Sequence, residues 1–247
     1  MSGVLEITEL GMINDMQRLN VISNNLANVS TPGFKREIPV SRSFDATIAN
    51  QLEAAGVNVD SATADVADMT SVVDQSTGSF KFTGNNFDIA IEGEGFFEVR
   101  SNNGVFYTRQ GTLSMDAAGR LTTASGHILE GMGGDIRVTS NEPRIDKQGR
   151  IWENDTQVGQ LKVVTFSDPR NLQKVGAGLY RAENMTGQAL DDDAIRVRQG
   201  YLESSNVVMM NEMVQMMETM RHFETSQRLI KGYDELLDNA IRTLGDF

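Results

Sequence analysis

The sequence predicts an α+β protein: long N- and C-terminal helices pairing as a coiled coil, a central mainly antiparallel β domain, and an extended connector. Two observations carry that prediction. Apolar residues recur at seven-residue intervals in both terminal segments, and seven residues make about two helical turns. Between the ends, short apolar or alternating runs are cut by Gly, Asn and Asp about every 8–12 residues, the punctuation of antiparallel strands.

Residues 1–33 form the first element. Leu5, Met12, Leu19 and Leu26 lie on one line, with Met16 and Ile22 beside it. The helix is expected to stop near Ser30-Thr31-Pro32-Gly33, because Pro32 disfavours a helical Thr31 and Gly33 readily supplies a turn. Residues 34–71 read as the connector. Within it Ser43–Ala55 fits a short helix, and Gly56–Thr70 is polar with few large apolar residues. Residues 72–203 form the β domain. Its strand candidates include Phe87–Ile91, Gly95–Val99, Val105–Thr108, Leu161–Phe166 and Ile195–Val197. Its turn signals include Gly84-Asn85-Asn86, Asn102-Asn103-Gly104, Asp116–Gly119 and Lys147-Gln148-Gly149, and no convincing repeat is found.

Residues 204–247 form the last element. Met209, Met216, Phe223, Ile230, Leu237 and Leu244 keep seven-residue spacing, and Met213, Met220 and Ile241 lie four beyond members of that line. Gln227 and Asp234 interrupt the second line. Asn206 is the expected N-cap, with Ser204 and Ser205 as rivals, and Gly245 lies where a C-terminal stop belongs. A helix this long favours a coiled coil, and the middle of the chain supplies no further helices to complete a bundle. Met210, Val214 and Met217 broaden the stripe. Apolar stripes of such length leave area in water at about 25 cal/mol per Å², so they are expected to finish burying themselves in an assembly.

The bulk properties exclude several functions. The 247 residues suit one large domain or two small ones. The absence of cysteine excludes disulfides, thiolate metal sites and Cys nucleophiles. A formal charge of −12 is repelled by phosphate backbones and anionic lipid, so neither nucleic-acid binding nor membrane insertion is expected. No apolar run reaches the roughly 20 residues of a membrane span. The first 20 residues lack a basic start and a long apolar stretch, so no cleaved signal is expected.

Candidate chemistry is sparse. His127 lies in a Gly-flanked turn and His222 on the last helix, and neither has metal-ligand spacing around it. Gly93-Glu94-Gly95 and Gly131–Gly134 lack a Walker lysine and read as tight turns. Asp191-Asp192-Asp193 lacks the alternating pattern of a calcium loop and reads as a solvated turn. Six methionines between Met209 and Met220 suit helical packing at an irregular interface better than a soft-metal site. No catalytic, cofactor-binding or metal-binding residue is assigned, and the chain is not read as an enzyme.

Four blocks carry a family resemblance. Val21–Phe34, VISNNLANVSTPGF, with Gly11 upstream, closely resembles the N-terminal signature of flagellar rod and hook proteins. Asp88–Val99, Tyr107–Gly111 with Asp116–Gly126, and Gln199–Val207 resemble later blocks of that family, in the family's order. The resemblance implies a structural subunit of the basal-body rod that polymerises through its terminal helices to carry torque from motor to hook. It implies the flagellar type III export apparatus, copies of itself and other proximal- and distal-rod subunits as partners. It implies a periplasm-spanning location reached without signal cleavage. Hook proteins are much larger. The run Met220–Gln227 and the short connector look closer to the proximal-rod class, while the Leu5/Gly11-Met12 spacing fits the distal-rod class about as well. A secreted binding or adhesion module is the competing class. Assembly residues are then Leu5, Met12, Leu19 and Leu26, and Met209, Met213, Met216, Met220, Phe223, Ile230, Leu237 and Leu244. Asn24, Asn25 and Asn28 either line a polar helix end or hydrogen-bond across subunits to set register.

Overall fold

The computed structural model describes residues 2–40, 70–101, 103–140, 142–183 and 185–245. The chain divides into two compact units: Met1–Ala27 with Glu37–Val73 and Val207–Phe247, and Asn28–Arg36 with Asp74–Asn206. The fold is α+β, with two terminal helices and a β-rich centre. Ser43–Ala55 and residues 56–69, the interior of the expected connector, lie outside the described residues.

The first unit holds helix α1, Ser2–Ala27, and helix α2, Met209–Gly245, packed against one another. It also holds an antiparallel pair, Glu37–Val40 with Thr70–Val73, so both ends of the expected connector are strand. The helix boundaries differ from expectation at two places. Helix α1 ends at Ala27, and the Ser-Thr-Pro-Gly stretch is the turn that follows, with Thr31 N–H bonded to Asn28 O at 3.1 Å. Asn206 is not the N-cap of α2. Its Nδ2 donates to Asp74 O at 2.9 Å and its Oδ1 accepts from Arg36 N at 2.7 Å. Helix α2 starts three residues later, with Asn211 and Glu212 N–H both bonded to Val208 O.

The second unit is built from antiparallel pairs throughout. Its largest sheet runs in the order 173–176, 179–181, 104–108, 96–101, 128–131, 121–123, 113–115. The hairpin Phe96–Ser101/Gly104–Thr108 is central, because apolar alternation turns Phe97, Val99 and Phe106 into the core. Strand Val163–Thr165 adds to Phe96–Ser101 on its other side. Smaller pairs join Ile89–Ile91 to Val197–Gln199 and Phe80–Phe82 to Tyr201–Glu203. Leu121, Leu129, Ile151, Leu161 and Ile195 complete a buried cluster.

One local device recurs, although no repeat was expected. Asp116–Arg120 and Asp146–Arg150 both read D-x-x-G-R. In each, the aspartate accepts from the backbone N–H two and four residues on, and from the arginine Nε four residues on. These bonds, led by the Arg120 backbone N–H, hold the Asp116 carboxyl below its ordinary range. Gly131–Gly134 is likewise a hairpin turn, pairing Gly131 with Gly134.

Candidate functional site

In the second unit, three ionisable side chains are sealed from water together. Lys35 Nζ lies 2.7 Å from Glu203 Oε1, and Arg109 Nε lies 3.1 Å from Glu203 Oε2. The side chains of Lys35 and Glu203 are 1% exposed and that of Arg109 is 4% exposed. Buried charges persist only when paired and hydrogen-bonded. Lys35 also donates to Ser76 O at 2.7 Å, and Glu203 Oε1 accepts from Gly78 N at 3.0 Å. The Arg109 guanidinium donates to Gly95 O at 2.7 Å and Gly93 O at 2.6 Å. The GEG stretch therefore cradles an internal guanidinium rather than an anion. Burial pushes both the Lys35 ammonium and the Arg109 guanidinium below their ordinary values, and Glu203 pulls each back part of the way.

This cluster gathers the sequence blocks that carry the resemblance. Lys35 directly follows STPGF, Gly93 and Gly95 belong to the second block, Arg109 to the third, and Glu203 and Asn206 to the fourth. Gly33 closes the arrangement: its N–H bonds to Glu203 O at 2.8 Å. Its φ is +69°, and a Cβ there would lie 2.5 Å from Arg109 O, so only glycine fits. Behind it, Asn206 binds Arg36 and Asp74, while Asp74 N–H bonds to Arg36 O at 2.8 Å. Sequence reasoning assigned none of Lys35, Arg109 and Glu203 as site residues. The available signal was that each stands in or beside a motif block while carrying a charge.

In the first unit, α2 meets α1 along a polar line. Glu212, Thr219 and Ser226 are buried, with Met216, Phe223 and Ile230 half-buried beside them. Facing them on α1, Ile22, Asn25 and Asp15 are buried and Met12, Leu19 and Leu26 half-buried. Asp15 Oδ2 lies 2.6 Å from His222 Nδ1. Asn25 bonds within the chain: Nδ2 donates to Glu37 O at 2.8 Å and Glu212 Oε2 at 3.2 Å, and Oδ1 accepts from Glu37 N at 2.9 Å. Asn24 is exposed, and Asn28 lies past the helix end, where its Oδ1 accepts from Thr31 Oγ1. The two apolar lines expected on α2 are thus split. One, through Met216, Phe223 and Ile230, faces α1. The other, through Met213 and Met220, faces water together with Met209, Met210, Val214 and Met217, all 40–70% exposed. The side chains of Leu5, Leu237 and Leu244 lie outside the described residues.

A β unit locked by internal charges and a helix pair with an outward apolar flank define a subunit built for assembly. Comparisons with known proteins agree. The family described as "Flagella basal body rod protein" matches residues 5–35. "Flagellar hook protein FlgE/F/G D1 domain" matches residues 90–153, and "Flagellar basal body rod FlgEFG protein C-terminal" matches residues 198–243. The flagellar basal-body rod protein FlgG of Bacillus subtilis is 32% identical, covering 94% of this chain and 95% of its own. FlgF of Caulobacter vibrioides is 32% identical over 93% of this chain and 92% of its own. The chain belongs to the flagellar basal-body rod protein family.

Proposed function

We propose that this chain is a structural, non-catalytic subunit of the flagellar basal-body rod that joins copies of itself and other rod subunits through its terminal helices, as coiled-coil neighbours, and transmits torque to the hook. The observation that carries this reading is the flank Met209–Met220, apolar and open to water on the longest helix of a rod-family chain. Fully burying a Met contributes about 1.5–3 kcal/mol relative to exposure, so several half-exposed methionines supply a substantial driving force. Export through the flagellar type III apparatus, without signal cleavage, to the periplasm-spanning rod belongs to the same reading.

The test is Met217→Asp. Met217 is 53% exposed, so the change leaves the single chain folded and places a carboxylate where a neighbour must bury it. Phe223→Asp is less clean, because Phe223 is half-buried against α1. We expect Met217→Asp to be exported and to be missing from purified basal bodies, with Glu224→Gln incorporated normally. Normal incorporation of Met217→Asp refutes the assembly role and leaves the adhesion reading. The run Met220–Gln227 supports a proximal position, and relatives named FlgF and FlgG match at equal identity. The proximal reading expects a deletion strain to stop its rod before the distal segment; arrest after it overturns that reading.

A further inference from the structure

Gly232 stands in the interior of α2, where glycine weakens a helix. A Cβ built on it meets no heavy atom within 4 Å among the described residues, so nothing among them requires a glycine there. The open space continues into a groove of about 390 Å³ between Thr8 of α1 and Leu229, Ile230, Tyr233 and Leu236 of α2. Leu229 and Leu236 on its walls are 64% and 69% exposed.

The same helix carries the converse shape. Met213, Met217 and their neighbours form an exposed apolar ridge of side chains. At about 100° per residue, the ridge around Met213 and Met217 and the groove around Leu229, Gly232, Tyr233 and Leu236 are centred roughly 130° apart around α2. Ridge and groove are different surfaces of one chain. Joining them between copies is a heterologous contact, which propagates where an isologous one closes. Charge agrees at the edges: Glu218 is exposed beside Val214 on the ridge, and Arg228, held only at 3.8 Å by Glu224 of its own helix and with its side chain 82% exposed, lines the groove.

We infer that the Met213–Met217 ridge of one copy docks into the Gly232 groove of a second copy of this chain. The inference rests on the reading that the helices drive assembly, and it specifies which surfaces meet. Methionine is flexible enough to fill an irregular groove, and glycine lets it approach the backbone. Residues 217 and 232 are 15 apart, so parallel α2 helices joined this way are displaced by about 22 Å along their axes.

The chain has no cysteine, which makes disulfide mapping direct. Full-length Met217→Cys and Gly232→Cys variants, carrying different tags, are mixed at concentrations where the wild-type chain forms oligomers, and then oxidised. Within one chain these positions are about 22 Å apart, far beyond the roughly 7 Å Cα reach of a disulfide, so any bond joins two copies. The mixed dimer is the expected main product, and the double variant gives a ladder of higher oligomers on a non-reducing gel. Gly232→Leu, which fills the groove and favours helix, is expected to lose oligomers at unchanged helical circular dichroism. Oligomers with only like-with-like dimers, or wild-type oligomerisation by Gly232→Leu, overturn ridge-to-groove docking while helix-driven assembly stands. Protection of the Gly232→Cys thiol from a maleimide in the dilute monomer places another segment of the same chain in the groove and also overturns it. A chain monomeric at every concentration overturns the assembly reading itself.

Discussion

Replacing Glu203 by glutamine removes the anion that neutralises Lys35 and Arg109 while keeping its size. Both cations stay in place with almost no access to water. Breaking a buried pair by removing one partner costs about 3–5 kcal/mol, because the remaining charge is left uncompensated. In a protein of this size 1 kcal/mol moves the melting point by about 2–4 °C, so the expected fall is on the order of 10 °C. The single tryptophan, Trp152, lies in the β unit, so its fluorescence follows that unit's unfolding in the full chain. The effect also carries a pH signature. Burial lowers the Lys35 pKa below its ordinary 10.5, and Glu203 partly opposes that shift. The unfolded chain then holds the proton more tightly, so Lys35's contribution to stability improves as pH rises toward 10.5. Without Glu203 the Lys35 pKa drops further, and the variant sheds that proton earlier. The deficit of Glu203→Gln against wild type is therefore largest near neutral pH and narrows on the alkaline side, with Arg109 keeping a residual penalty. A simultaneous Lys35→Met, Arg109→Met, Glu203→Leu change removes every charge, and is expected to restore much of the lost stability. A Trp152 transition within about 3 °C of wild type for Glu203→Gln corresponds to about 1 kcal/mol or less, and refutes the claim that this cluster holds the unit together.

Gly33→Ala sets a Cβ against the Arg109 carbonyl at a positive φ, and lowers the Trp152 transition by about 1–3 kcal/mol of stability; an unchanged transition counts against the close approach. Asn25→Ala leaves both backbone groups of Glu37 without their side-chain partner, at about 1–3 kcal/mol, and hydrogen exchange at the Glu37 amide is expected to accelerate; unchanged exchange removes Asn25 from that role. His127→Ala combined with His222→Ala leaves motility and rod completion intact, because no chemistry is assigned to either ring and Asn25–Glu212 still links the helices where Asp15–His222 is lost; loss of both with normal folding and secretion points to a chemical role for one of the rings.

Periodicity made the two helices legible, and turn residues made the strands legible. Ile89–Ile91, Phe96–Ser101, Gly104–Thr108, Val163–Thr165 and Val197–Gln199 all overlap or adjoin strand candidates bounded by Gly, Asn and Asp. What periodicity does not reveal is which side of a helix faces inward. Apolar counting weighed both apolar lines of α2 alike, whereas only the one through Met216, Phe223 and Ile230 lies beside the buried Glu212, Thr219 and Ser226. Buried Glu212 accepts from Asn25, 187 residues away in the chain, and no local pattern encodes a contact of that span. The ionic cluster was hidden for the same reason. Lys35, Arg109 and Glu203 each resemble an ordinary surface charge until the sheet brings them together. Asn206 likewise has the residue type of an N-cap, but Arg36 and Asp74 engage its side chain first.

The polarity of the α1–α2 contact bears on why assembly is favoured. A hydrogen bond to a charged group contributes about 1.5–3 kcal/mol net, so the Asn25–Glu212 and Asp15–His222 contacts hold the helices in register without exhausting their apolar surface. Had Met213, Met217 and Met220 faced α1 instead, the pair would satisfy itself and its outer surface would be inert. With the methionines outside, their largest remaining gain requires a neighbour. Specific polar contacts hold the helices of the single chain together, and the less directional hydrophobic gain is left for the contact between chains.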